Sequence, residues 1–555
     1  MHISYSSRLR WVRQVAASAG LSLLVTLALS FTIEARGQDA AQSGADGAAG
    51  SHGRILLVLP FDNRSGQPSL EWIREAAPEI LGRRLASAGF APMRRADRLY
   101  ALDHLGLPEG FHPSRASSLK LAQTLDADSI VVGSYITDGS GIEAEAQLVD
   151  VAHLTMSAPV TARGEMRDMI SVFDTLAWKL TRELDPSFSV AEQTFVAAGS
   201  GLRLDAFEQY IRGISEPDQQ ERLRHLKQAV VLSPAFGPAW MALGREDYAG
   251  QQYEQAADAF AKVGANEPDA LEAGFYRGLS LIFSGDYGRA EEAFATVARV
   301  LPLAEVLNNQ GVTLARRGKD GVPLFRKAVA ADPNGADYHF NLAVSLKRHG
   351  ENAEALTELA QSLKLRPGDT EGQALQRAWT GQKPDPNSAS GEDAGAKADP
   401  LERIMRTFDA AAFRQAATMM DQMDASRLEA LSPHERAQKL AAQAKGYLDR
   451  GLLLEAERLY LSAAAADNSV AEVHAGLAQL REHSGDAEAA RKEATRSLEL
   501  MPSADAYLVL GRLNLGAGHL DEARQNADAA LKIDANNNAA QELRRQIDAR
   551  QGQTK

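Results

Sequence analysis

The chain has no cysteine. That absence removes disulfides, thiol nucleophiles, thiolate metal sites and a lipid-modified N-terminal cysteine together. It is also short of positive charge: 60 Lys and Arg stand against 73 Asp and Glu, for a net charge of −13. A surplus of that sign argues against a nucleic-acid footprint or an anionic membrane as the main partner. Catalytic signatures are missing as well. No nucleophile elbow, kinase set or dinucleotide fingerprint occurs. The twelve histidines are scattered, and His434 with Glu435 begins a metalloprotease-like phrase that lacks its second histidine. His339 and His349 flank one helix ten residues apart, which is not metal-ligand spacing. No metal, cofactor or catalytic residue is expected.

Bulk is present. At 555 residues, 45% hydrophobic and 24% charged, the chain is of ordinary globular composition and too long for one core. Its opening carries Arg8, Arg10 and Arg13 without an acid, then an uncharged run over 15–33, then Ala35 and Gly37. Basic, apolar and small-residue regions in that order predict a secretory signal peptide over 1–37, cleaved after Gly37. The alternative is an uncleaved inner-membrane anchor, since the run approaches the ~20 residues that span a bilayer. A periplasmic or secreted location is expected for the chain beyond Gly37. Residues 38–53 read as a flexible leader.

Residues 54–187 predict an α/β unit. RILLVLP is a buried strand, and FDNRSGQPS breaks it. LEWIREAAPEILGRRLASAG has helical period, FAPMRR is a second strand, and SRASSLKLAQTLDA a helix. DSIVVGSYI and IEAEAQLVDV form strands about a DGSG hairpin turn. In the latter Ile142, Ala144, Ala146 and Leu148 alternate with polar residues, as a half-solvated strand requires. A closing helix is expected over 168–184. In LPFDNRSGQ only Gly66 is a glycine, so Asp62 and Asn63 read as loop and helix caps, not as a phosphate cradle.

The phrases LPFDNRSG, APEILGRRLASAG, DADSIVVGSY and IEAEAQLVDV, in that order, resemble the TolB amino-terminal domain family. The resemblance covers about a quarter of the chain and implies a mixed sheet and an envelope interaction domain, not an enzyme. The β-propeller that comes after it in TolB has no counterpart here, so TolB's partners do not transfer.

Downstream, Pro234, Pro268 and Pro302 are spaced by 34 residues, then Pro333 by 31 and Pro367 by 34; Asn468 and Pro502 repeat the interval. Between them, Gly244, Gly278 and Gly311 recur in first helices, with Ala256, Ala290, Ala355, Ala456, Ala490 and Ala523 in second helices. Phe260, Phe294, Phe325, Leu359 and Tyr460 fall one turn later. Trp240 and Leu243 share a face with Gly244. Small residues let two helices cross closely, and the aromatic fills the space beside them. The pattern resembles the tetratricopeptide repeat. Five repeats are expected within 203–367 and three within 437–535, with extra helices at 369–379, 401–424 and 537–549.

The fold class expected is therefore an α/β domain followed by an all-α solenoid in two arrays, 190–379 and 401–550. A flexible linker of Pro, Gly, Ser and charge over 380–400 divides them. Residues 401–436 show helical period through Ile404, Met405, Phe408, Phe413, Met419, Met420 and Met423, the methionines reading as core filler or as an adaptable face.

Stacked repeats enclose a groove. Asn309 stands two residues before Gly311 and Asn341 two before Ala343. Peptide-binding tetratricopeptide domains often carry asparagine there, and an amide can both donate to and accept from a peptide backbone. Arg316, Arg317, Lys347 and Arg348 lie near enough to meet a carboxylate. Alternatively the asparagines bridge neighbouring helices and the basic groups are solvated. A non-enzymatic exported adaptor with protein partners is the expectation. The rivals are a membrane-anchored regulatory or sensory subunit whose α/β domain binds a small ligand, and an enzyme with an unrecognised site in that domain.

Overall fold

The computed structural model describes residues 55–112, 114–199, 201–381, 400–409, 419 and 423–553. The signal-like stretch 1–37, the leader 38–53, residues 382–399 of the linker, Phe413 and Met420 lie outside the described residues. Among the described residues no helix is long and apolar enough to cross a membrane.

Six strands form one mixed sheet: β1 (Ile55–Val58), β2 (Asp62–Asn63), β3 (Ala91–Pro92), β4 (Ser129–Thr137), β5 (Gly141–Asp150) and β6 (Val160–Glu165). Their order is β3-β1-β4-β5-β6, with β2 also on β4. The β1 pairings with β3 and β4 are parallel, as helical crossovers demand; β4-β5 and β5-β6 are antiparallel, as hairpins demand. Gly139 turns the β4-β5 hairpin at φ +100, a value that suits glycine. Asp138 Oδ1 accepts from the Gly141 N–H at 2.9 Å.

Alternation in β1 sends Leu56 and Val58 to one core and Leu57 and Leu59 to another. Helices Ile73–Ser87 and Met169–Leu184 cover the first face, Arg95–His104 and Arg115–Thr124 the second. In β5 the expected Ile142, Ala144, Ala146 and Leu148 are buried, and Val149 is buried on the opposite face. Strand β6 and helix Arg95–His104 were not foreseen. Thr161, Arg163 and Glu165 make β6 polar on one face, and RADRLYALDH carries little apolar period.

The helical part continues as five hairpins, from Leu204–Ser215 with Gln219–Leu232 to Ala336–Arg348 with Asn352–Leu365, and the single helix Thr370–Thr380. Three more run from Pro433–Leu448 with Leu453–Ala466 to Ala504–Gly516 with Leu520–Ile533, ahead of Asn538–Gln553. Ser432 caps its helix: its Oγ accepts from the Glu435 N–H, and the Glu435 carboxylate takes the Ser432 N–H.

The glycines sit where the helices cross. A Cβ on Gly244 would lie 2.7 Å from the Phe260 ring, and one on Gly278 2.6 Å from the Phe294 ring. Leu243, Ala256, Phe260, Ala290 and Phe294 are buried around these crossings. Trp240 is partly buried and donates from Nε1 to the Pro234 carbonyl at 2.8 Å. Pro268 and Pro302 stand in the turns ahead of Ala270–Ser284 and Ala304–Arg316. Gly278→Leu should cost about 1–3 kcal/mol by overpacking; an unchanged urea midpoint would show that this crossing yields.

The second array returns to the first half of the molecule, an arrangement on which the sequence was silent. Arg458 Nη1 donates to the Ser87 carbonyl at 3.1 Å, and the Ala191 N–H donates to Glu457 at 3.0 Å. Glu457 is fully buried and also holds Arg481 at 2.6 Å. Arg481 in turn donates to Thr194 on the short helix Glu192–Ala197 at 2.9 Å.

One expected helix, read over 401–424, is found only in part: 419 and 423–429 are helical. It does not begin at 401: residues 400–409 are neither helix nor strand, and 410–418 lie outside the described residues. Residues 400–409 run extended along the first array instead. Side-chain amides of the first array take up backbone groups that a helix would have paired internally. Met405 packs there, whereas Met419 and Met423 are exposed, so neither of these two is core filler.

Candidate peptide groove

The first helices Ala304–Arg316 and Ala336–Arg348 line the inner side of the first array. Each carries buried amides: Asn308, Asn309 and Asn341 are all 0% exposed. Asn309 Nδ2 donates to the Met405 carbonyl at 2.8 Å, and the Met405 N–H donates back to Asn309 Oδ1 at 2.8 Å. Asn341 treats Arg403 the same way, donating to its carbonyl at 2.7 Å and accepting its N–H at 2.6 Å. Residues 403 and 405 are two apart, so in an extended chain their polar groups face one edge. Two amides one repeat apart therefore read every second residue.

Asn308 completes the set. Its Nδ2 donates to the Arg403 carbonyl at 3.0 Å, and its Oδ1 accepts from Asn341 at 2.8 Å. Asn341 and Asn308 thus bridge neighbouring helices, and Asn308, Asn309 and Asn341 all bond the chain's own residues 403 and 405.

Charge fixes the flanking residues. Glu402, with a side chain 1% exposed, lies between Arg316 and Arg348. Arg316 Nη2 donates to the Glu402 carbonyl at 3.1 Å, Arg348 binds the Glu402 carboxylate, and Arg348 also donates to the Pro400 carbonyl. Arg403 points the other way. It donates to Asp337, Asp369 and Glu371, at 2.9 Å in each case, and its guanidinium lies 3.5 Å from the centroid of Phe340. Burial opposes charge on Asp337, but hydrogen bonds from Arg366 and Arg403 outweigh it and hold the carboxyl below the usual range. Asp369 is lowered likewise, its burial outweighed by Arg403 and the Gly372 N–H. Burial would lower the Arg403 pKa, yet the three carboxylates raise it.

Apolar contacts complete the seat. Ile404 packs against the cores of two repeats, Met405 meets the cluster of Ala304, Leu307, Ala328 and Tyr338, and Phe408 lies 5.5 Å from the Phe275 ring. Beyond them the Asp409 N–H donates to Glu305 at 3.1 Å.

Of the groove residues expected from sequence, Asn309, Asn341, Arg316 and Arg348 converge on residues 400–405. Lys347 does not. Its Nζ donates to Asn352 at 2.7 Å and lies over Trp379, because its place on the helix turns it toward the second helix of its own hairpin and the single helix Thr370–Thr380. Arg317 is likewise taken by Glu291. Sequence reasoning missed Asn308, Glu305, Asp337, Asp369, Glu371 and Phe340. The neighbouring asparagine in LNNQG was a usable signal. The acids were not, since Asp337 and Glu371 stand in first turns and Asp369 is an N-cap, positions that favour acid without any ligand.

The second array lacks this equipment. The positions two before its small residues Ala444, Ala478 and Gly511 are Ala442, Gly476 and Val509, none of which has a side-chain amide. In the α/β unit, Asn63 is a loop cap: its Nδ2 donates to the Gln67 carbonyl at 3.1 Å and its Oδ1 accepts from the Ser65 N–H at 3.0 Å. Asp62 is exposed near His112. Among the described residues no group of three or more His, Asp or Glu is placed to hold a metal.

Two stretches match family models described as tetratricopeptide repeat, residues 315–370 and 504–537. No curated protein matches the chain. Among solved structures, a tetratricopeptide protein named YrrB, described as having an unusual peptide-binding site, aligns at 16% identity. It covers 37% of this chain and 99% of its own, with a TM-score of 0.28. MamA from Desulfovibrio magneticus RS-1 aligns at 20% identity over 31% of this chain and 99% of its own, TM-score 0.28. The LpoB C-terminal domain from Salmonella enterica aligns at 17% over 22% and 89%, TM-score 0.18. The chain carries tetratricopeptide repeats in both of its helical arrays.

Proposed function

We propose that this chain is an exported, non-enzymatic adaptor that holds protein partners by extended segments in the groove of its first array, in a cell-envelope process. Tetratricopeptide repeats make protein-binding scaffolds, and one observation carries the finer reading: Asn309 and Asn341 each hold a backbone carbonyl and N–H of an extended segment. Backbone bonds supply affinity for any extended chain, and the charged flanks select among sequences. Export is supported by the basic, apolar and small-residue order of 1–37. An envelope setting is supported by the resemblance of 54–187 to the TolB amino-terminal family.

The test pairs fractionation with capture. The tagged full chain should leave the cytoplasm without residues 1–37, and it should retain a partner that Asn309→Ala with Asn341→Ala loses at least tenfold. Retention in the cytoplasm removes the export reading. Equal capture by both forms moves the binding surface away from this groove.

A further inference from the structure

Residues 400–409 occupy their own chain's groove as a peptide would. Every feature that a recognition site needs is present: backbone clamps at 403 and 405, a cationic pair for Glu402, and an anionic triad with an aromatic face for Arg403. Aliphatic seats for Ile404 and Met405 and the Phe275 ring beneath Phe408 complete it.

We propose that the groove is selective for an extended partner segment carrying Glu-Arg followed by two aliphatic residues and, three positions on, an aromatic one, and that residues 400–409 are this ligand supplied in cis. The order of charges is the selective element. Arg316 and Arg348 stand at the C-terminal ends of their helices, while Asp337 opens one helix and Asp369 and Glu371 open Thr370–Thr380. Reversing the pair to Arg-Glu would set like charge against like at both seats, a repulsive as well as a missing attractive contact. The occupant is a protein segment and not a nucleic acid or lipid, because each clamp pairs one donor and one acceptor to the C=O and N–H of a single residue. The inference rests on the adaptor reading above and narrows it to one sequence class.

The probe is a fluorescent peptide, Leu-Glu-Arg-Ile-Met-Arg-Thr-Phe, with its Glu and Arg exchanged in a control of identical composition. Three full-length proteins are titrated: the natural chain, Glu402→Lys with Arg403→Glu, and that pair combined with Asn309→Ala and Asn341→Ala. The natural chain should bind weakly, the opened variant at least tenfold more tightly, and the third not measurably. The control peptide should lose at least tenfold on the opened variant. A folded opened variant that ignores the peptide overturns the proposal, because residues 400–409 are then a fixed strut. Equal binding by the natural and opened chains overturns the occlusion, and equal binding of both peptides overturns the selectivity.

If the opened variant does not fold, hydrogen exchange of residues 400–409 in the natural chain is followed as isotope-labelled peptide is added. Faster exchange supports displacement, and unchanged exchange at saturation overturns it. The adaptor reading fails separately: a partner captured through the asparagines but not displaced by the peptide leaves that reading standing and sinks this one.

Discussion

Arg403→Ala should release the amides of residues 403 and 405 to exchange about a hundred- to a thousandfold faster, without unfolding the repeats. The side chain is 17% exposed and faces Asp337 and Asp369, 21% and 7% exposed. Removing one partner of a buried ionic group strands the others and costs about 3–5 kcal/mol. The loss falls on a segment with no secondary structure of its own, so local opening carries it. Arg406→Ala is the control, because that guanidinium packs on the Phe283 face at 5.1 Å, away from the three carboxylates that hold Arg403. Acid should act on the same joint. Asp337 and Asp369 are lowered in the folded state, so their contribution is present above the unfolded carboxylate pKa of about 4 and is lost as pH falls through the folded values. Protection of 403 and 405 should therefore fall in acid, and fall less in Arg403→Ala. Unchanged exchange in the variant would mean that the asparagine clamps hold the segment unaided.

Phe294→Ala should lower the unfolding free energy by about 3–5 kcal/mol, the range for emptying a core aromatic site. The ring is fully buried, lies against the crossing at Gly278 and meets Phe275 edge-on at 5.7 Å. Phe275 is also the ring under Phe408, so the cavity opens one residue behind the groove. Urea unfolding reads the stability; a loss under about 1 kcal/mol would mean that the hairpins close over the void.

How far the molecule could be read in advance depended on how local each determinant was. Gly244, Gly278 and Phe294 announce their crossings because the two sides of each lie sixteen residues apart and the same spacing recurs. Asn309 and Asn341 were legible for a similar reason, since each stands at a fixed offset from a small residue. Residues 401–409 misled because Ile404, Met405 and Phe408 fit a helical period, while the decisive partners lie 62 to 96 residues upstream. No periodicity contains the information that Asn341 will take the Arg403 N–H. The return of Leu453–Ala466 was invisible for the same reason: it is made by scattered residues, among them Leu454 in the α/β core, Arg458 against Ser87 and Glu457 against Ala191 just beyond the α/β unit, with no repeat to flag them.

That return also sets a threshold on access to the groove. Residues 400–409 lie between Thr370–Thr380 and Pro433–Leu448, and the second of these belongs to an array fastened to the front of the molecule. A released segment therefore cannot diffuse away. Tethered at both ends, it meets the empty groove at an effective concentration on the order of millimolar. A free competitor of equal intrinsic affinity at about a micromolar would hold roughly one molecule in a thousand. On the occlusion proposed above, only a partner that is abundant, bivalent or intrinsically far tighter would take the site, and the groove would respond to local crowding of its ligand rather than to its mere presence.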